Sequence, residues 1–74
     1  MATTIRTESD HARPYMHILV ATDGTQELRH PVVLPGLTVI ERVRANAEAT
    51  LTGRALTPEA FREVVHNALV DLDA

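Results

Sequence analysis

Two of the chain's four histidines, His17 and His30, flank the turn signal Asp23-Gly24, and a two-residue turn there would set their imidazoles opposite each other. A facing pair can share a metal ion, or repel when both rings are protonated. Two ligands do not complete a site, and a third would have to come from His11, His66 or a second subunit. The pair is therefore read as a surface or half-buried contact, with a small metal- or ligand-binding protein using His17 and His30 kept as an alternative. Glu63-Val-Val-His66 has the Glu-x-x-His spacing of carboxylate-bridged di-iron bundles, which need two such motifs and further glutamates from facing helices. One copy on a polar helix face reads as a solvated face.

Nucleophilic chemistry has little to work with. The chain has no cysteine and no lysine, and its one serine, Ser9, has Asp10 and His11 as immediate neighbours, an order that does not set up triad geometry. Glu59 and Glu63 fall on an exposed helix face, where nothing would raise one carboxyl enough for acid catalysis. The expectation is a protein that is not an enzyme and uses no cofactor or metal.

The stretch Ile18-Leu-Val-Ala-Thr-Asp23-Gly-Thr25 resembles the first strand and turn of universal stress proteins, in which the Asp after the strand helps to hold a nucleotide. That resemblance implies a long helix next and a glycine-rich phosphate loop later. Here Pro31 and Pro35 interrupt any such helix, and three glycines in the whole chain leave no such loop. The segment reads as a hairpin turn.

The elements that position these side chains follow from patterning. Residues 1–13 are polar and lack helix or strand periodicity, so they are read as a flexible N-terminal arm ahead of a single domain over residues 14–74. Tyr15 to Ala21 is aliphatic and β-branched, and the return strand runs from Thr25 to about Leu34, with Pro31 confined to an edge or a bulge. Counting outward from a two-residue turn pairs Leu19 with Leu28, Ile18 with Arg29 and His17 with His30. One face then carries Tyr15, Leu19, Leu28 and Val32. The other carries Met16, Ile18 and Val20 opposite Pro31, Arg29 and Glu27, so the first strand is apolar on both sides and something should cover that second face.

Thr38-Val-Ile-Glu41 fits a capping box opening a helix whose apolar stripe is Leu37, Ile40, Val43, Ala47 and Leu51, with Gly53 placed to end it. The run Leu56-Thr57-Pro58-Glu59-Ala60-Phe61 predicts a second helix, with Thr57 as N-cap, Pro58 at the first helical position and Leu56 stapled onto Phe61. Its core stripe is Phe61, Val64, Val65, Ala68, Leu69 and Leu72. The fold class is α+β, an N-terminal β-hairpin followed by two antiparallel helices (ββαα).

Seventy-four residues without a disulfide support one thin core, which makes a homo-oligomer an open expectation. No apolar run approaches a bilayer span and no leader is visible, giving no membrane and the cytoplasm as the expected address. A net charge of −3 offers no clustered positive surface, so direct nucleic-acid binding is disfavoured. The second helix, with Glu59, Glu63, Asp71 and Asp73 against Arg62, has the wrong field for a recognition helix.

These exclusions leave a small acidic protein-protein interaction module, an inhibitor or adaptor docking on a larger protein complex. Such proteins are common among phage and mobile-element inhibitors of host nucleic-acid-handling machines, CRISPR complexes among them, and that prior sets the expectation. The partner-binding residues would be Met16, Ile18 and Val20 as an apolar strip, Glu27 and Arg29 as its rim, and Glu59, Glu63, Asp71 and Asp73 as an acidic surface competing for basic ones. The alternative class is an antitoxin-like DNA-binding or regulatory dimer whose Arg29, Arg42 and Arg44 reach phosphates.

Overall fold

The structure, a computed structural model, describes residues 3–9, 12–13, 15–34 and 36–72. Three strands, β1 (Thr4–Ser9), β2 (Met16–Thr22) and β3 (Glu27–Val33), precede two helices, α1 (Leu37–Leu51) and α2 (Pro58–Leu72). The strands make one antiparallel sheet in the order β1-β2-β3. The α+β class, with a hairpin followed by two helices, is as the sequence predicts, and β1 is an addition to it.

The arm assigned to residues 1–13 is thus corrected over Thr4–Ser9. Ile5 pairs with Ala21 and is buried, and Thr7 pairs with Leu19, while Arg6 and Glu8 alternate onto the opposite face. Period-two alternation is present, but with a single aliphatic residue to mark it. Residues 1, 2, 10 and 11 of that arm lie outside the described residues.

The β2–β3 turn holds four residues, 23–26, closed by the pair Thr22 and Glu27. A two-residue turn centred on Asp23-Gly24 needs positive φ at both positions, and only Gly24 has it, at 95°. Asp23 Oδ1 instead accepts from the Thr25 amide at 2.9 Å, the Thr25 hydroxyl at 2.8 Å and the Gln26 amide at 3.0 Å. These bonds, the Thr25 amide foremost, hold the Asp23 carboxyl down to a pKa of about 2. Recruiting two more residues into the turn moves every cross-strand partner by two. Leu19 faces His30, His17 faces Val32, Ile18 faces Pro31 and Val20 faces Arg29. An even shift keeps each side chain on its face, so the face assignment stands while the opposition of His17 and His30 is lost.

Pro31 fits for a related reason. The Leu34 amide donates to the Tyr15 carbonyl at 3.1 Å, which makes Tyr15 and Leu34 a hydrogen-bonded pair. Alternation then makes Ile18 and Pro31 a non-bonded pair, so the absent N–H would have pointed off the edge of the sheet.

Both helices cover one sheet face, α1 against β1 and α2 against β3, and they pack on each other. Leu19 of the sheet, Val43, Ala47 and Leu51 of α1 and Val65 of α2 are wholly enclosed between them. The start of α2 follows the sequence signature: the Ala60 amide donates to Thr57 Oγ1 at 3.1 Å, and Leu56 and Phe61 are both buried. The capping box expected for α1 does not form. Gly36 takes the N-cap position with no side-chain cap, and Glu41 turns along the helix to Arg44 at 3.0 Å. Gly53, at φ 83°, ends α1 as its position suggests.

Candidate functional site

The helices leave the other face of the sheet uncovered, and alternation assigns its residues. Across the middle row run Arg6, Val20 and Arg29, with Glu8 and Glu27 diagonally adjacent. The four charged side chains close a ring: Arg29 meets Glu8 at 2.6 Å and Glu27 at 2.9 Å, and Arg6 meets Glu8 at 3.1 Å and Glu27 at 3.3 Å. Arg29 foremost, then Arg6, lowers the Glu8 pKa, while Glu8 foremost raises that of Arg29, so both stay ionised through the neutral range.

Val20 lies beneath this ring. It is 0% exposed although it stands on the face without helices, outside the main core cluster. Its cross-strand neighbours on either side are Arg6 and Arg29, residues whose long aliphatic stems suit covering an apolar neighbour. This corrects one member of the expected partner-binding strip, since Val20 is already buried within the fold. Glu27 and Arg29 stand opposite Thr22 and Val20, paired with each other and with β1.

What remains open is the other end of that face. Met16 and Ile18 are half-buried there, beside their exposed cross-strand partners Val33, 63% exposed, and Pro31. That face thus carries apolar side chains at one end, a neutral ring of alternating charge next to them, and the pair Thr4 and Thr22 beyond the ring.

A second charged group guards the outer edge of β1. Glu48 accepts from the Ile5 amide at 2.7 Å, Arg44 donates to the Ile5 carbonyl at 3.1 Å, and the two side chains pair at 3.2 Å. Together they mimic a neighbouring strand at that point and satisfy backbone groups that the sheet leaves open. Arg29 and Arg44, two of the three arginines that a DNA-binding reading would need, are thereby engaged in ion pairs.

Glu59 and Glu63 are exposed on α2, but they line a shallow depression with Arg62 and His66 between and beside them, so the acidic surface is interrupted by a cation. Asp71 accepts from Asn46 Nδ2 of α1 at 3.4 Å, and Asp73 lies outside the described residues. His17 is buried, and His30 is half-buried with its ring edge-on to Phe61 at 6.0 Å and its Nδ1 without a hydrogen-bond partner. Among the described residues no three His, Asp or Glu side chains gather in a way that could hold a metal.

Sequence reasoning missed Arg6, Glu8 and Glu48, and it named Arg44 only as a candidate phosphate contact. Arg6 and Glu8 carried a signal, alternating with Ile5 and Thr7, whereas Arg44 and Glu48 read as an ordinary i,i+4 surface pair. Among the described residues no helix is long and apolar enough to cross a membrane. Comparison with protein families, with characterised proteins and with solved structures finds no match.

Proposed function

We propose that the chain is a small protein-interaction module, an inhibitor or adaptor that docks on a larger protein through the uncovered face of its sheet. The observation that supports this most is the placement of both helices on one side, which leaves Met16, Ile18, Pro31 and Val33 as an apolar group bordered by the Arg6, Glu8, Arg29 and Glu27 ring. An apolar centre with a polar rim is the composition of a protein contact. The ring balances two arginines with two glutamates, which suits a partner surface of mixed charge and gives no purchase on a phosphate backbone. Covering side chains of this size at about 25 cal/mol per Å² contributes on the order of a few kcal/mol, enough to matter to a domain this small. Glu59 and Glu63 supply a secondary contact for a basic element of the partner.

Ile18→Glu tests the reading, because it places a carboxylate in the apolar group without touching the turn or the helix caps; its cross-strand neighbour on β1 is Glu8 of the ring, so Ile18→Gln, which adds no charge there, is its control. Partner capture from the native host should be lost while circular dichroism and melting remain near wild type. A photo-crosslinking residue at Val33 should become joined to the same partner. Capture that survives Ile18→Glu refutes the docking face, and a collapse of the circular dichroism spectrum places Ile18 in the fold's own core.

A further inference from the structure

The two edges of the sheet are finished differently. At β1 the outward amide and carbonyl of Ile5 are taken up by Glu48 and Arg44. At β3 the outward groups are those of Glu27, Arg29, Pro31 and Val33, by the alternation that the Tyr15–Leu34 bond fixes, and no strand lies beyond them among the described residues. A free strand edge is a template for another strand, and its own sequence decides which one it accepts.

We propose that β3 pairs antiparallel with β3 of a second copy, about a two-fold axis through Leu28, joining two three-stranded sheets into one of six strands. The possible registers separate on charge and on the proline. Centring on Leu28 sets Glu27 of each copy opposite Arg29 of the other, and both pairs exchange two backbone hydrogen bonds without using Pro31. Centring on Glu27 opposes two carboxylates, and centring on Arg29 opposes two guanidinium groups. Centring on His30 sets Pro31 against Arg29, which forfeits a donor in each pair, and strands Glu27 against Val33. Centring on Pro31 opposes two prolines. The self-complementary register is therefore unique in matching charge and completing every bond it makes, and it runs the ion rings of the two copies into one belt. This inference concerns the sheet edge, not the docking face proposed above, and the two stand or fall separately.

The full chain, measured by sedimentation and light scattering from about 1 μM to about 1 mM, should show a monomer–dimer equilibrium. Arg29→Pro removes one outward N–H without touching the β2–β3 ladder, because Val20 and Arg29 are a non-bonded pair. It should raise the dissociation constant about tenfold or more, since each copy loses a hydrogen bond and a charged partner. Arg29→Gln keeps the N–H and should raise it by less. In the wild type, hydrogen exchange at the Glu27 and Arg29 amides should slow with rising concentration, while the Val33 amide stays fast. Ile18→Glu should leave the dimer intact. A chain that is monomeric over the whole range overturns the proposal, as does an Arg29→Pro variant that folds and dimerises like wild type. Concentration-dependent protection at Val33 overturns the register. Should Arg29→Pro not fold, the wild-type exchange pattern decides.

Discussion

Glu48→Ala is the sharpest probe of the third strand, because Glu48 reaches from α1 to a backbone group at the far end of the chain. The Ile5 amide meets the carboxylate at 2.7 Å, and the same oxygen pairs with Arg44 at 3.2 Å. A hydrogen bond to a charged group contributes about 1.5 to 3 kcal/mol when its removal leaves the donor unmatched. The Glu48 side chain is 35% exposed, so water replaces part of what is lost. Alanine also favours the helix slightly, and the net cost should be about 1 to 2 kcal/mol. In a domain of this length that lowers the melting temperature by roughly 5 to 10 °C. Thermal denaturation followed by circular dichroism gives the number, and hydrogen exchange gives its location: the Ile5 amide, slow in the wild type, should become fast. Glu48→Gln retains an acceptor and should fall in between, and Glu63→Ala, on an exposed face, should change melting little. If Glu48→Ala melts with the wild type and Ile5 exchanges fast in both, β1 is not held by this contact.

Two further predictions concern the turn and the core. The Asp23 pKa is depressed from 3.8 to about 2, so its contribution is present above pH 4 and is lost as the pH falls toward 2; wild type should therefore lose stability through that window more steeply than Asp23→Asn, as melting temperatures at stepped pH will show. Phe61→Ala, at a side chain only 2% exposed, should cost about 3 to 5 kcal/mol and leave a substantial unfolded population in a urea titration, whereas a variant of near-wild-type midpoint would remove Phe61 from the core.

The parts of this fold that local chemistry dictates were legible. Thr57, Pro58 and the Leu56–Phe61 staple announce α2 within six residues, and the stripe from Phe61 to Ala68 is buried as its spacing requires. The hairpin was legible as an element but not in its register, because Asp23-Gly24 fits two turns and the choice fell to the Asp23 carboxylate and its three donors. Strand β1 was not legible, since Ile5 alone marks its inner face and the side chains that finish its outer edge, Arg44 and Glu48, come from α1. The second face of β2 reads as apolar and in need of cover. At Val20 it is closed within the chain, between Arg6 and Arg29, the first of them in the segment read as an arm. At Ile18 and Met16 it carries the candidate contact.

The bridge from Glu48 to Ile5 also bears on the order in which the chain assembles. The hairpin of β2 and β3 and the pair of helices each join neighbours along the sequence, and loops this short close early and at small entropic cost. Strand β1 can meet β2 locally, but the groups that hold its outer side at Ile5 lie 39 and 43 residues downstream. During synthesis β1 is made before α1, and it waits for α1 to be made and docked before its backbone is satisfied on both sides. Its native pairing should accordingly be among the last to consolidate on folding and among the first to loosen, so that a strand made before both helices takes its place after them.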